Sequence, residues 1–287
     1  MEADRWVNEQ TGEVRTGVVI SDVVYYRTSR QQEAWEHIKR IEGTKKLYRT
    51  HGDKFTNGNM DAIRQLATVL DDTTLGYLLI LQTVLQYDGT LGTSKRRFTK
   101  VKDFESVLNV KERQAKKVIK ILRDVDVLRV NDEGVYCMNP TYHWKGSFLS
   151  SDAQKNVKLI TSSIQGLVDA GVKAKDLGAV YLLLPYISYR SNLIVHNPCE
   201  VNVEKLQPMN LEEIADVIKH DATKVSTKLR KITFTSSKGE MYAFSIASTG
   251  RTCNVIVNPL LVRRLADEKA QELLSYEFLT LFLINRP

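Results

Sequence analysis

The sequence predicts an α+β protein, mostly α, built from two consecutive halves with the same element order. Apolar residues recur at helical spacing in long segments, and short alternating runs come in pairs around turn residues. The segments TTLGYLLILQTVLQY and KDLGAVYLLLPYISY, at 73–87 and 175–189, share a Leu-Gly pair, a run of leucines and a closing tyrosine. The paired runs also end alike, in VYCMNP at 135–140 and VIVNP at 255–259. Matched order with matched ends predicts an internal repeat.

The elements follow one another in three parts. Residues 1–56 are predicted to form an N-terminal leader with strands at 18–20 and 23–26 and a helix at 31–41. Residues 57–150 are predicted to contain helices at 59–70, 73–87, 101–108 and 111–125, a strand at 97–99, and a hairpin of 127–130 and 135–138 around the turn at 131–134.

Residues 151–287 repeat this order. We expect helices at 152–170 and 175–189, a strand at 193–195, two helices capped by Asn210 and Asp221, a hairpin of 241–247 and 253–257, and a final amphipathic helix at 260–281. This order is typical of a winged helix, a helix-turn-helix with a β-hairpin wing. The sequence therefore predicts two tandem winged-helix domains with a short leader and a C-terminal helix.

Composition favours an anionic partner, because the net charge is +7 and the pI is near 9.1. Three scattered cysteines argue against a disulfide framework or a zinc ribbon and suit a reducing cytosol. The N-terminus is polar and acidic, unlike a signal peptide, and the apolar runs are far shorter than the roughly 20 residues of a membrane helix. We expect a cytoplasmic, nucleoid-associated protein that does not bind membranes.

The helix predicted at 111–125 separates charged and apolar residues onto opposite faces. One face holds Arg113, Lys116, Lys117 and Lys120, and the other holds Ala115, Val118, Ile119 and Leu122. Residues 95–123 contain eleven basic and three acidic residues, an excess larger than the net charge of the whole chain. Of the four clustered cations, only Lys116 has a glutamate four residues before it, so repulsion is largely unrelieved unless phosphates relieve it. The alternative is an ordinary solvated face.

In a winged helix this element is the recognition helix, whose exposed face enters the major groove. Arg113, Gln114 and Lys117, near its start, are the candidates for contacts with base edges. Phosphate contacts are expected mostly from Lys116, Lys120, Lys95, Arg96 and Arg97, and Lys111 completes the DNA-binding set of this half. The first wing carries Asp132 and Glu133 at its tip and is not expected to bind DNA.

The second half is predicted to be a weaker copy of the first. Its candidate helix places Lys224, Thr227 and Lys228 outward and Val225, Leu229 and Ile232 inward. Lys231 at its margin and Arg251 at the second wing tip complete the predicted DNA-binding residues. A dimerisation or structural role for this half stays open, and the C-terminal helix could mediate a homodimer or, as we favour, pack on its own domain.

No catalytic pattern occurs in the sequence. GTLGTSK near residue 90 lacks the spacing of a phosphate loop, and no CxxC, HExxH or GxSxG motif is present. The five histidines are isolated and form no His-x-His pair. We therefore expect neither an enzyme nor a protein that needs a metal or a cofactor.

Short motifs at both ends of residues 5–150 resemble a known group. Thr11-Gly12-Glu13 lies in the leader, and Asn139-Pro140 is followed by Lys145-Gly146-Ser147 after the first wing. This part resembles the RepL-like replication initiators of plasmids and phages, and the tandem arrangement resembles other plasmid initiators. The resemblance implies binding at repeated origin sequences and recruitment of host replication factors, without catalysis. The alternatives are a phage or plasmid transcription regulator, acting with transcription factors, and a winged-helix scaffold that binds proteins.

Overall fold

The computed structural model describes residues 54–93, 95–146, 153–236, 239–249, 252–264 and Phe278, and the backbone of 4–7, 14–20 and 23–27. The chain divides into two compact units, Met1–His51 and Gly52–Pro287. The first unit contains an antiparallel meander of β1 (Asp4–Val7), β2 (Val14–Ile20) and β3 (Val23–Arg27). The strands predicted at 18–20 and 23–26 lie within β2 and β3. The helix predicted at 31–41 lies outside the described residues.

The second unit is α+β, as predicted, with more helix than strand among its described residues. Its α-helices are α1 (Met60–Val69), α2 (Asp72–Leu81), α3 (Val101–Leu108), α4 (Glu112–Asp124), α5 (Thr161–Asp169), α6 (Ala174–Leu183), α7 (Leu211–Val217) and α8 (Ala222–Arg230). Single 3₁₀ turns extend α2 and α6, and two more occupy Ala153–Lys155 and Val203–Lys205. No helix in the described part of the chain is long and apolar enough to span a bilayer.

The described strands of this unit form one central sheet and three hairpins, all antiparallel. They are β4 (Phe55–Asn59), β5 (Leu128–Val130), β6 (Tyr136–Met138), β7 (His143–Trp144), β8 (Asn156–Ile160), β9 (Thr233–Ser236), β10 (Gly239–Tyr242), β11 (Phe244–Thr249), β12 (Thr252–Val257) and β13 (Val262–Arg263). The central sheet has the order β13-β8-β4-β7, and the hairpins are β5–β6, β9–β10 and β11–β12. Both predicted halves thus contribute strands to one sheet, within one compact unit.

A close crossing of α2 and α6 also joins the two halves. A Cβ built on Gly76 would lie 1.8 Å from the carbonyl oxygen of Ala174, and one built on Gly178 would lie 1.8 Å from that of Asp72. No side chain fits such gaps, so glycine is required at both positions. This contact explains the Leu-Gly pair that the two long apolar segments share.

The repeated Asn-Pro at 139–140 and 258–259 has one structural role in both halves. The Asn139 side chain donates to the Asp126 carbonyl at 2.9 Å and accepts from the Thr141 N–H at 3.0 Å. Asn258 donates to the Tyr242 carbonyl at 2.9 Å and accepts from the Leu260 N–H at 2.9 Å. The matched bonds make β5–β6 the counterpart of β11–β12, so β9–β10 is an insertion in the second half.

A cation and a tyrosine close each half in the same way. Lys145 follows β7, donates to the Leu85 carbonyl at 3.0 Å, and lies 5.1 Å from the centre of the Tyr87 ring. Arg264 follows β13, donates to the Ile187 carbonyl at 2.6 Å, and lies 5.5 Å from the Tyr189 ring. Arg264 is buried and also donates to the Pro198 carbonyl at 2.6 Å. The closing tyrosines of the repeat are therefore cation–π partners. The Tyr87 side chain nevertheless stays 75% exposed.

The sheet also buries a histidine between the halves. The Nε2 of His143 on β7 lies 2.6 Å from the hydroxyl oxygen of Tyr181 on α6, and both side chains are buried. Burial lowers the pKa of His143 from 6.5 to about 3 and raises that of Tyr181. The histidine is therefore neutral at physiological pH.

Five predicted elements differ from the structure. Residues 156–160, predicted as the start of a helix, form β8, which pairs with β4 along its whole length. The candidate strands at 97–99 and 193–195 make only isolated bridges. The strand predicted at 241–247 is divided at Ala243 between β10 and β11. The C-terminal helix does not begin at Leu260, because Val262 and Arg263 pair with β8; beyond Arg264 only Phe278, which is helical and buried, is described.

Candidate nucleic-acid interface

Local bonds position the helix pair α3 and α4. The buried Asp103 accepts hydrogen bonds from the N–H groups of Thr99 and Lys100, which fixes the start of α3. Asn109 ends α3 in the left-handed conformation, with φ 51°, as asparagine tolerates. The chain then turns through Val110 and starts α4 at Glu112. The turn therefore separates the two helices predicted at 101–108 and 111–125.

The predicted faces of α4 are observed. Ala115, Val118, Ile119 and Leu122 are buried, and Arg113, Lys116, Lys117, Lys120 and Arg123 are exposed. Gln114 is half-buried at the edge, and Lys111 is exposed as the residue before the helix. We call the five exposed cations the α4 cationic face. The buried side fixes the orientation of the helix, so the cationic face points to solvent.

Most of the cations around α4 have no carboxylate partner. Lys116 pairs with Glu112 at 2.6 Å, which raises the pKa of the lysine through that hydrogen bond. Of the eleven basic residues in 95–123, three form ion pairs; the other eight form none with the described residues. These eight are all exposed. The predicted excess of positive charge is thus largely uncompensated.

The structure revises the phosphate contacts predicted for 95–97. Arg96 forms an ion pair with the buried Asp103, and Arg97 pairs with Asp88 at 2.9 Å. Both guanidinium groups therefore have structural partners, although each side chain stays partly exposed. Lys95 is exposed and forms no ion pair with the described residues, which makes it the strongest phosphate candidate of the three.

A shallow groove of about 470 Å³ lies beside the cationic face. It is lined by Val101 at the start of α3 and by Lys116, Ile119, Lys120, Arg123 and Asp124 of α4. Three cations on one wall with one carboxylate at the end give the groove a net positive charge. Such a groove suits a phosphate of a backbone that follows α4.

The first hairpin ends in an acidic tip, as predicted. The Asn131 side chain accepts from the N–H groups of Glu133 and Val135 at 3.1 and 2.8 Å and so closes the turn. Asp132 and Glu133 are exposed. This tip would repel a phosphate backbone, so the helix and not the hairpin is the candidate DNA-binding element of this half.

The second half contains the equivalent helix pair with a different surface. Asn210 and Asp221 cap α7 and α8, as predicted. Val225, Leu229 and Ile232 are buried like Ala115, Ile119 and Leu122 of α4. In this register the positions of Arg113, Lys116, Lys117 and Lys120 are taken by Thr223, Ser226, Thr227 and Arg230. The face of α8 that matches the α4 cationic face therefore carries a single cation.

One of the three residues predicted to point outward from α8 is directed elsewhere. Lys228 does not point outward: its side chain is 13% exposed and pairs with Asp176 of α6 at 2.9 Å. Lys224 is exposed and pairs with Asp221 at 3.8 Å, while Thr227 and Lys231 are exposed. Arg251 lies outside the described residues. Lys224, Lys228 and Lys231 border a groove against the start of α6. Two further lysines that were not predicted as site residues, Lys173 and Lys175, line the same groove.

No protein-family model, curated protein or solved structure matches this chain. Among the described residues, no group of three or more histidine, cysteine, aspartate or glutamate side chains could hold a metal ion. Four of the five cations of the α4 cationic face form no ion pair with the described residues.

Proposed function

We propose that this chain is a sequence-specific double-stranded DNA-binding protein and that its first half binds DNA through α4. In this proposal each half is a winged helix, with α3–α4 and α7–α8 as the helix-turn-helix pairs and β5–β6 and β11–β12 as the wings. The element order, the αL turn at Asn109 and the matched Asn139 and Asn258 support that architecture.

The observation that carries the proposal is the α4 cationic face, exposed and almost free of carboxylate partners while its opposite side is anchored in the core. Like charges on one helix face destabilise the free protein, and DNA phosphates would relieve this repulsion. Arg113 and Gln114 lie in the first turn of α4, where a recognition helix meets base edges. Arginine pairs with guanine and glutamine with adenine, so these two residues would supply sequence preference.

We further propose that the biological role is replication initiation or origin binding in a plasmid or phage. The support is the resemblance of residues 5–150 to RepL-like initiators. In the motif that follows the first wing, Asn139 and Lys145 donate structural hydrogen bonds. Any protein with this fold would need such bonds, whatever its function. The support for replication is therefore the combination of this motif with Thr11-Gly12-Glu13 in the leader. Host replication factors would be the partners.

Selection of bound duplexes from a random library tests the proposal. We expect enrichment of a defined site, with relaxed preference at one position in Arg113→Ala and at another in Gln114→Ala, each by about 1–3 kcal/mol. A site within a replicon origin, with plasmid loss on deletion of the gene, would support initiation. Sites in promoters with unaffected replication would indicate a transcription regulator. No enrichment, with no duplex affinity even at low salt, would refute DNA binding and favour a protein-interaction scaffold.

The selected site also tests the arrangement of the halves. A site with two half-sites whose spacing fits one chain would indicate that both halves read DNA. A palindromic site would indicate a homodimer. Because the α8 face is nearly neutral, we expect the first half to contribute most of the salt-dependent affinity.

A further inference from the structure

The second half has an open groove of about 650 Å³ whose walls are rich in lysine. One wall is the turn after α5 and the start of α6, with Lys173 and Lys175, and the other is α8. The lysines that line the groove are Lys173, Lys175, Lys224, Lys228 and Lys231, and Asp176 is the single carboxylate among its lining residues. Of the α8 residues that match the α4 cationic face, Thr227 also lines this groove.

The ion pairs around this groove leave it positive. Lys228 and Asp176 neutralise each other at 2.9 Å, and Lys224 has a longer contact of 3.8 Å with Asp221, which is exposed. Lys173, Lys175 and Lys231 are exposed and form no ion pair with the described residues. Three uncompensated cations therefore face one open groove.

The internal repeat provides a comparison for the start of α6. In the first half, Asp71 caps α2 by accepting from the Thr74 N–H at 2.9 Å, and Asp72 follows it. The equivalent residues of the second half are Lys173 and Ala174, and Lys173 makes no side-chain cap bond. Lys173 thus stands where the first half has the carboxylate of Asp71. The N–H groups at the start of a helix favour anions, and the lysine adds to this preference.

The α8 wall shows the same change of charge. In the register set by the buried residues, Lys224, Lys228 and Lys231 take the positions of Gln114, Val118 and Ile121 in α4. The first half has neutral side chains where the second half has cations. Both walls of the groove have therefore gained positive charge relative to the same fold in the other half.

We propose that this groove binds phosphate groups and that their source is the backbone of the DNA bound by the chain. The inference rests on the proposed function and adds a second, sequence-independent contact to it. An open groove with long, exposed lysines on both walls suits a continuous phosphate backbone. Lys173, Lys175 and Lys231 would bind the phosphates, and the pair of Lys228 with Asp176 would hold α8 against α6.

The double variant Lys173→Asp, Lys175→Thr tests the groove. It introduces the residues that the first half has at the same positions, Asp71 and Thr73, so the helix start is expected to fold. We expect the slope of log affinity against log salt to flatten by roughly 2, about 0.9 for each lost phosphate contact, with the selected DNA site unchanged. Lys231→Gln provides a third position on the opposite wall and is expected to flatten the slope by roughly 1.

Four outcomes would overturn the inference. If the double variant keeps the wild-type slope while loss of the α4 lysines flattens it, the groove does not contact DNA and the proposed function stands. If the wild-type chain binds no duplex, both proposals fail. If inorganic pyrophosphate shifts the backbone amide NMR signals of Ala174 and Lys175 while the double variant keeps the wild-type slope, the groove takes free phosphate instead. A flattened slope with an altered selected site would assign base reading, not phosphate binding, to this wall.

Discussion

Replacing Gly76 by alanine would force α2 and α6 apart at their crossing. The added Cβ would lie 1.8 Å from the Ala174 carbonyl oxygen, whereas ordinary contacts begin at 3.4 Å. The helices must therefore separate by about 1.6 Å. A gap of even 1 Å between packed atoms loses up to about half of the dispersion energy of their contact. The clash is with backbone, which cannot rotate away. We expect the overpacking to lower the free energy of unfolding by an amount near the top of the roughly 1–3 kcal/mol range. The higher helix propensity of alanine offsets about 1 kcal/mol of this loss.

The net loss of about 2 kcal/mol in the free energy of unfolding corresponds to a fall in Tm of roughly 4–8 °C for a unit of this size. Gly178→Ala should behave alike, because its Cβ meets the Asp72 carbonyl at the same distance. One separation relieves both clashes, so the double variant should lose less than the sum of the two. Urea unfolding measures these losses, and Ser162→Ala, exposed on α5, is the control. A Gly76→Ala protein more stable than wild type, as helix propensity alone predicts, would refute the close crossing.

Three further predictions concern buried polar groups. Between about pH 7.5 and pH 5, the free energy of unfolding should fall by about 2 kcal/mol more in the wild type than in His143→Gln. The pKa of His143 is about 3 in the folded protein and 6.5 in the unfolded chain, so protonation in this range favours the unfolded chain. Equal losses in urea titrations would contradict this. Asn139→Ala and Asn258→Ala should each cost about 1–3 kcal/mol, and a large difference between their denaturation midpoints would argue against equivalent roles. Arg264→Met should lower Tm more than Lys145→Met, since Arg264 donates to the carbonyls of two buried residues, Ile187 and Pro198, whereas Lys145 donates to one; the reverse order would count against the buried arginine.

Local patterns in the sequence are sufficient to predict the helix pairs α3–α4 and α7–α8 and the first hairpin. The caps Asn210 and Asp221 and the opposed faces of α4 depend on residues within a few positions of each other, and the structure has them as predicted. The repeated Leu-Gly and Asn-Pro pairs also marked equivalent positions. Their physical reasons, a helix crossing and a side-chain bridge, appear only when distant segments meet.

Features that depend on distant partners were missed. The run NVKLI at 156–160 has no clear alternation, because four of its five residues are buried, and its partner β4 lies about a hundred residues earlier. Lys228 shares a helix face with Lys224, so helical spacing predicts that it is exposed. In the structure it pairs with Asp176, which belongs to another helix, α6. Lys173 and Lys175 are candidates for phosphate binding because α6 lies beside α8, a contact that the sequence alone does not reveal. Comparing the two halves position by position would have shown the replacement of Asp71 by Lys173.

The central claim is that the α4 cationic face binds DNA phosphates. The most direct measurement is the salt dependence of duplex affinity for wild type and for the variant with Lys116, Lys117 and Lys120 replaced by alanine. The control replaces Lys54, Arg190 and Lys205, three exposed cations on neither α4 nor α8, and so makes the same change of net charge. We predict that the α4 variant flattens the slope by roughly 2–3, that the control stays near wild type, and that both unfold like wild type. Equal slopes for the α4 variant and the control would contradict the claim.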